Sequence, residues 1–203
     1  MIKLLKEFIE KSWLLIVSSF VFGLLLALTN SAWSGKIEEN KTKKLSGLMG
    51  MLITDANKFE VVMPKVRVDL GRGKFVETDI YRAVQNSQTA GFCFKAEGNG
   101  FADKIELVIA VDANFEKIIG FKVLASAETP GFGDKIAHSF YNDQYKGAPA
   151  GKLTLVSKGD DKVIDSEIVA ISGATVSSTA VVNIFNNYLE QIKNQLTQKG
   201  LIE

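Results

Sequence analysis

An uncharged apolar run dominates the start of the chain. Ser12–Thr29 contains 18 residues without a charge, near the lower end of the roughly 17–25 residues that cross a bilayer as a helix. Trp13 and Trp33 bracket this run, where aromatic rings favour the headgroup level. A buried core helix, or a signal peptide cleaved near Asn30-Ser31-Ala32, is the alternative interpretation. The pattern predicts a transmembrane helix over residues 12–32.

The flanks of this helix carry lysines on both sides. Lys11 abuts the apolar run, whereas the first charge on the other side is Lys36. Long domains translocate largely regardless of their charge. We therefore expect residues 1–11 in the cytoplasm and the bulk of the chain outside it. Residues 33–78 are expected to form a juxtamembrane helix or stalk and a lead-in to the domain over 79–203.

From Asp79 onward, short apolar or alternating runs predict strands. Turn residues such as Glu97-Gly98-Asn99-Gly100 and Asp112-Ala113-Asn114 separate them. Turns this short join antiparallel neighbours, because parallel strands need a long crossover. The predicted strands of this antiparallel meander are Asp79–Val84, Thr89–Glu97, Lys104–Val111 and Lys117–Ala125.

The last third of the chain mixes helical and strand patterns. Asp134–Gln144 is typical of a short helix, and Leu153–Ser157 and Val163–Ile171 are typical of strands. Apolar residues then recur about every four positions, which predicts an amphipathic helix from Thr175. Its expected buried face consists of Val176, Ala180, Ile184, Tyr188 and Ile192. The fold class is thus α+β: an antiparallel β-meander with flanking helices, preceded by one N-terminal transmembrane helix.

Composition excludes several classes of function. The chain has 24 basic and 23 acidic side chains, so it lacks the basic excess of a nucleic-acid-binding protein. One cysteine and one histidine exclude an internal disulfide and a histidine-rich metal site. No set of nucleophile, base and orienting residue is evident, so we predict no catalytic residues and no metal. Cys93, between two phenylalanines of a strand, is expected to be a buried thiol.

The first candidate site is a loop between a strand and a helix. It contains Glu128-Thr129-Pro130-Gly131-Phe132-Gly133-Asp134-Lys135. Gly131 and Gly133 permit left-handed backbone and leave no Cβ to block a flat ligand. The alternative is an ordinary turn, since proline and glycine occur in most turns.

The second candidate site is the start of the last helix, Ser172-Gly173-Ala174-Thr175-Val176-Ser177-Ser178. Unpaired N–H groups and the positive end of a helix favour a phosphate there, and Gly173 would let it approach closely. The alternative is that these hydroxyls only cap the helix.

Together, the two loops resemble a known family. ETPGFGDKI at 128–136, SGATVSS at 172–178, the helix that follows and the N-terminal span are similar to the FMN-binding subunits of Rnf- and Nqr-type membrane redox complexes. The Rnf G subunits are the closer likeness, and the resemblance covers nearly the whole chain. Many members have an acidic residue six positions before the last threonine of the second motif, where this chain has Val169.

The resemblance implies a covalent FMN. In this family a flavin transferase, with FAD as donor, joins the FMN phosphate to the last threonine of the motif, which corresponds to Thr175. The neighbouring cofactor-binding residues that the resemblance implies are Ser172, Gly173, Ala174 and Ser177. It also implies that the ring lies near Glu128, Thr129, Gly131 and Gly133.

The resemblance further implies a place in a membrane assembly. The chain would be the electron-carrying subunit of a complex that couples ferredoxin:NAD electron transfer to Na⁺ or H⁺ translocation. Its partners would resemble the A, B, C, D and E subunits of Rnf complexes, besides the flavin transferase and membrane lipid. It would span the inner membrane once, with the FMN domain outside the cytoplasm. A carrier for an Nqr-type or other extracytoplasmic redox system, and a flavin-free anchored assembly module, remain the alternatives.

Overall fold

The computed structural model describes residues 2–71 and 73–202. Met1 and Glu203, at the ends of the predicted segments 1–11 and 79–203, lie outside the described residues, as does Arg72 in the expected lead-in. The chain divides into two compact units, Met1–Lys43 and Lys44–Glu203.

The first unit consists of most of a long helix, α1, which runs from Ile2 to Leu52. Its segment Glu10–Leu52 is long and apolar enough to cross a membrane, by length and composition. Apolar side chains such as Leu15, Phe20 and Leu26 are exposed, which is contrary to the core-helix interpretation. Of the segment 33–78, expected to hold a juxtamembrane helix or stalk and a lead-in, residues 33–52 are helical, since α1 continues through them without a break.

The second unit is built on a five-stranded sheet. The strands follow one another in chain order and every neighbouring pair is antiparallel, so the predicted meander is confirmed. The strands are β1 Lys58–Asp69, β2 Phe75–Gln85, β3 Gln88–Asn99, β4 Lys104–Asp112 and β5 Ile118–Ala125.

The sheet begins earlier than the sequence pattern predicts: β1 and the start of β2 lie before residue 79, where the first strand is expected. The pairing of β1 with β2 shifts register between Val61 and Met63 and again between Met63 and Val66. Pro64 lies in this stretch, and Lys65 has a φ of 50°. These irregularities interrupt the alternation of apolar and polar residues by which a strand is detected in a sequence.

Both faces of the sheet are covered in its centre. Phe92 and Phe94 of β3 point into the main core, on the side of the last helix. Cys93, between them, points to the opposite face and packs in a second cluster with Met49 and Ile53 at the end of α1. The predicted burial of Cys93 is confirmed, and burial raises the pKa of its thiol to about 12.

The connection between β5 and the last helix is less regular than predicted. Asp134–Gln144 is not one helix but three short pieces, a 3₁₀ turn Gly133–Ala137, the helix α2 Ser139–Asn142 and a 3₁₀ turn Asp143–Tyr145. The break occurs at His138, whose backbone is extended. The two strands that follow are β6 Thr154–Val156 and β7 Glu167–Val169, which are shorter than predicted and pair in parallel.

The last helix, α3, spans Thr175–Gln198 and begins where the sequence predicts. Ala180, Ile184, Tyr188 and Ile192 of the expected apolar face are buried, but Val176 is 55% exposed. Within the first turn of α3, Val176 is turned away from the core while Ser177 and Ser178 are buried, and this turn is part of the candidate site.

Candidate functional site

A cleft of about 470 Å³ lies where three segments meet: the β3–β4 loop, the loop after β5 and the start of α3. The two sequence motifs, which are some forty residues apart in the chain, form two of its walls. The residues that line it are Phe101, Glu128, Thr129, Phe132, Gly133, Gly173, Ala174, Thr175, Val176 and Ser177.

Glu128 joins the three walls. It is only 6% exposed, and Oε1 accepts a hydrogen bond from the backbone N–H of Ala102 at 2.9 Å. Oε2 accepts a second bond from the Ser177 hydroxyl. A carboxylate is a pure acceptor, so both partners are of the required kind. The β3–β4 loop and the first turn of α3 are thus bound to the same side chain.

Gly133 allows this close packing. A Cβ at this position would lie 2.7 Å from both Glu128 Oε2 and Ser177 Oγ, closer than real side chains pack. Gly173, by contrast, has a φ of 78° and a neighbour, the Phe132 ring, at ordinary contact distance. Gly133 is therefore required by space and Gly173 by backbone conformation.

The N-terminus of α3 is not capped by a side chain. Ala174 occupies the cap position and makes no side-chain hydrogen bond there. The N–H groups of Thr175, Val176 and Ser177 belong to the first turn, which has no carbonyl partners within its own helix. The positive end of the helix therefore faces the cleft with donors available for an anion.

The hydroxyl groups around this turn are engaged elsewhere. Ser177 donates to Glu128. Ser178 accepts from the Ile171 N–H and donates to the Ala174 carbonyl, both at 3.0 Å. Thr179 donates to the Thr175 carbonyl at 2.8 Å. The alternative in which Thr175 only caps the helix is not what the structure shows, because Thr175 is the first helical residue and lies exposed beside the cap.

Two exposed aromatic rings, which the sequence motifs did not identify as site residues, border the cleft. Phe132 is 56% exposed and Phe101 is 68% exposed, unusual for phenylalanine in a domain whose other rings mostly pack in the core. Phe132 belongs to the first motif, so its position in the sequence could have identified it as a site residue. Phe101 lies in the β3–β4 loop, and only the sheet brings it to the site.

Most of the predicted site residues line the cleft, but two do not. Gly131 is an exposed loop residue with a φ of 79°. Ser172 lies instead in a neighbouring depression with Lys135 and Phe140. Val169, at the position where the family often has an acid, belongs to β7 and exchanges two backbone hydrogen bonds with the Gln144 side chain.

The donor set of the cleft is suited to an organic anion with an apolar body. Among the described residues, no group of three or more histidine, cysteine or acidic side chains could hold a metal ion. The cleft lining contains one ionisable side chain, Glu128, together with hydroxyls, bare backbone and three apolar side chains at the rim. This arrangement provides binding and orientation, and the hydroxyl and carboxylate that pair within it, Ser177 and Glu128, are both buried.

Comparisons with known proteins agree with this geometry. The FMN-binding domain family matches residues 100–190. The G subunit of the Na⁺-translocating ferredoxin:NAD⁺ oxidoreductase complex of Acetobacterium woodii is 30% identical, over 93% of this chain and 97% of the relative. The chain belongs to the family of Rnf G subunits. The G subunit of the proton-translocating complex of Clostridium ljungdahlii is 29% identical, over 88% of each chain.

The fold is also that of a solved structure. NqrC of Shewanella oneidensis superposes with a TM-score of 0.52, at 23% identity, over 71% of this chain and 73% of the other. At this identity the likeness concerns the fold alone. This Rnf-family chain thus shares the α+β architecture of NqrC, as the sequence resemblance implied.

Proposed function

We propose that this protein is the electron-carrying subunit of an Rnf-type membrane complex and that it carries FMN in a phosphoester bond to Thr175. The complex would couple electron transfer between ferredoxin and NAD to the translocation of Na⁺ or H⁺. The observation that carries the proposal is the uncapped start of α3, with an exposed threonine at its first position. Membership of the Rnf G family supports it independently.

The first turn of α3 is suited to hold a phosphate next to the Thr175 hydroxyl. Its free N–H groups and the helix dipole both favour negative charge. Gly173, with its φ of 78°, bends the chain so that backbone lines the cleft directly. The bond would form when Thr175 Oγ attacks the FMN-side phosphorus of FAD, which breaks the pyrophosphate and releases AMP. The hydroxyl proton goes to solvent or to a base of the flavin transferase.

The rest of the cleft is suited to a flat aromatic ring. Phe101 and Phe132 are exposed at its border, and aromatic rings favour offset stacking or edge contact with other rings. Thr129 and the backbone at Gly133 offer polar groups for the ring edge. Bound FMN would supply the reversible electron transfer, and the protein would supply position and electrostatics.

The long apolar helix is consistent with a membrane subunit. We propose that the chain crosses the inner membrane once through residues 12–32, with residues 1–11 in the cytoplasm and the FMN domain outside. Its partners would be the A, B, C, D and E subunits of the complex, membrane lipid and, during maturation, a flavin transferase. Protease treatment of spheroplasts tests the topology, since the FMN domain should be digested without lysis. Protection until lysis would contradict the proposed orientation.

Intact mass and in-gel flavin fluorescence test the covalent bond. The full chain is co-expressed with its flavin transferase, and the wild type is compared with Thr175→Ala under denaturing conditions. We expect a mass gain of one FMN minus water, with fluorescence, in the wild type and neither signal in Thr175→Ala.

Thr179→Ala is the matched control. Thr179 is also an exposed threonine of α3, one turn later, and its hydroxyl donates to the Thr175 carbonyl. This variant should be flavinylated like the wild type. An adduct that persists in Thr175→Ala but disappears in Thr179→Ala would show that the bond forms one helix turn later than proposed. No adduct in the wild type, with an active transferase, would refute the covalent proposal.

A further inference from the structure

Glu128 is the one ionisable side chain among the ten residues that line the cleft. Its side chain is only 6% exposed. None of the ion pairs in the described part of the chain includes Glu128. Its negative charge is therefore compensated by two neutral hydrogen-bond donors, the Ala102 N–H and the Ser177 hydroxyl.

A buried charge of this kind acts strongly on a neighbouring group whose own charge changes. Interactions between charges are weakened less inside a protein than in water, and water has little access to Glu128. A ring that takes up two electrons and one proton gains one negative charge. In the complex those electrons would come from neighbouring redox carriers, and in a titration they come from dithionite.

We propose that Glu128 tunes the redox potential of the flavin, which it would lower by placing a fixed negative charge beside the ring. This inference rests on the proposed function, because it requires FMN in the cleft. Glu128 would thus do more than line the site: it would favour the oxidised, uncharged ring over the reduced, negatively charged ring. The hydrogen bonds to Ala102 and Ser177 hold the carboxylate in place for this effect.

Glu128→Gln removes the charge while keeping the hydrogen bonds possible. The amide oxygen of glutamine still accepts from the Ala102 N–H. Its NH₂ group donates to Ser177, whose hydroxyl both donates and accepts. The variant is isosteric, so the tight packing against Gly133 is preserved. In the flavinylated fraction we expect a midpoint potential more positive than that of the wild type. At a fixed ambient potential, the ratio of reduced to oxidised flavin should rise about tenfold.

Two further variants separate charge from structure. Glu116→Gln makes the same change in net charge at an exposed site in the β4–β5 turn, at the opposite end of β4 from the Phe101 loop, and should leave the potential unchanged. Ser177→Ala removes one of the two donors that favour the charged form of the carboxylate, so the potential should shift in the same direction as in Glu128→Gln, by no more than in that variant.

The measurement is a dithionite titration of the flavinylated full chain in detergent, followed by flavin absorbance against a reference dye. A positive shift in Glu128→Gln without one in Glu116→Gln supports the proposal. Equal potentials in Glu128→Gln and the wild type, a shift of the same size in Glu116→Gln, or a positive shift in Ser177→Ala larger than that in Glu128→Gln would overturn it. A wild type without flavin would instead refute the proposed function, and the intact mass reveals that case before any titration.

Discussion

The hydroxyl oxygen of Tyr188 in α3 accepts a hydrogen bond from the backbone N–H of Glu97 in β3 at 3.1 Å. The Tyr188 ring lies parallel to that of Phe94, with 6.3 Å between the ring centroids. This contact joins the helix that begins at Thr175 to the sheet that carries the Phe101 loop. The geometry of the cleft therefore depends on it, although it lies several turns away along α3.

Tyr188→Phe should destabilise the domain by about 1–2 kcal/mol, because the Glu97 N–H would lose its partner while the ring packing remains. Urea unfolding of the full chain in detergent, followed by near-UV circular dichroism, measures this loss. Tyr81→Phe removes a hydroxyl from a half-buried tyrosine of β2 and should change the unfolding free energy by less than about 0.5 kcal/mol. Equal losses in the two variants would contradict the assigned role of Tyr188.

Stability should fall at alkaline pH in part because of Cys93. The pKa of its buried thiol is about 12 in the folded chain, against an ordinary value of 9.0. A folded pKa above the unfolded one means that the contribution to stability is fully present below pH 9 and is lost as the pH rises from 9 towards 12. The loss is up to about 1.4 kcal/mol per pH unit.

Comparison with Cys93→Ala isolates this contribution. Unfolding free energies between about pH 8 and about pH 11 should fall more steeply in the wild type than in the variant. The thiol of the native protein should react with a maleimide only on unfolding. Parallel pH profiles would show that Cys93 does not titrate between the two states.

Gly133→Ala should disturb the cleft directly. The added methyl would lie 2.7 Å from the Glu128 carboxylate and the Ser177 hydroxyl, so the walls would have to separate, at about 1–3 kcal/mol. We expect lower stability and less flavin per chain by intact mass. Gly151→Ala, where the methyl would meet no atom within 4 Å, is the control and should behave like the wild type.

Phe101→Ala and Phe132→Ala should affect the cofactor but not the fold. Both rings are more than half exposed, so each truncation should change stability by only about 0.5 kcal/mol. Flavin should still attach at Thr175, and its fluorescence should increase because an adjacent aromatic ring is removed. Phe140→Ala, which truncates an exposed ring of the neighbouring depression, should leave the emission unchanged. An unchanged emission in all three variants would place the flavin ring elsewhere.

The sequence was most informative where structure depends on local pattern. The start of α3, the meander from β2 to β5 and the burial of Cys93 follow from periodicity and turn residues that are close together in the chain. The two motifs also indicated most of the cleft lining, since each is a continuous segment. These features required no knowledge of how distant segments pack.

The remaining features depend on tertiary contacts or backbone irregularity. Val176 fits the apolar stripe of α3 by spacing, but its side chain is exposed and lines the cleft, whereas Ser177 and Ser178 of the same turn are buried. Phe101 lies near Glu128 only because the sheet register brings their loops together. The link from Glu128 to Ala102 and Ser177 joins three separate segments, which no local pattern predicts.

The second apolar cluster of the sheet determines where the chain can be shortened without harm. Cys93 and Ala110 face Met49 and Ile53 at the end of α1, not solvent. A version released from the membrane by starting at Lys44 would keep this cover and the entire interior of the domain. A version starting at Lys58, where the sheet begins, would lack Met49 and Ile53. The apolar face of the sheet around Cys93 and Ala110 would then be exposed to solvent, and the protein would tend to aggregate. To produce the domain alone, the chain should therefore start at Lys44, well before the first strand, because the end of α1 packs on the sheet.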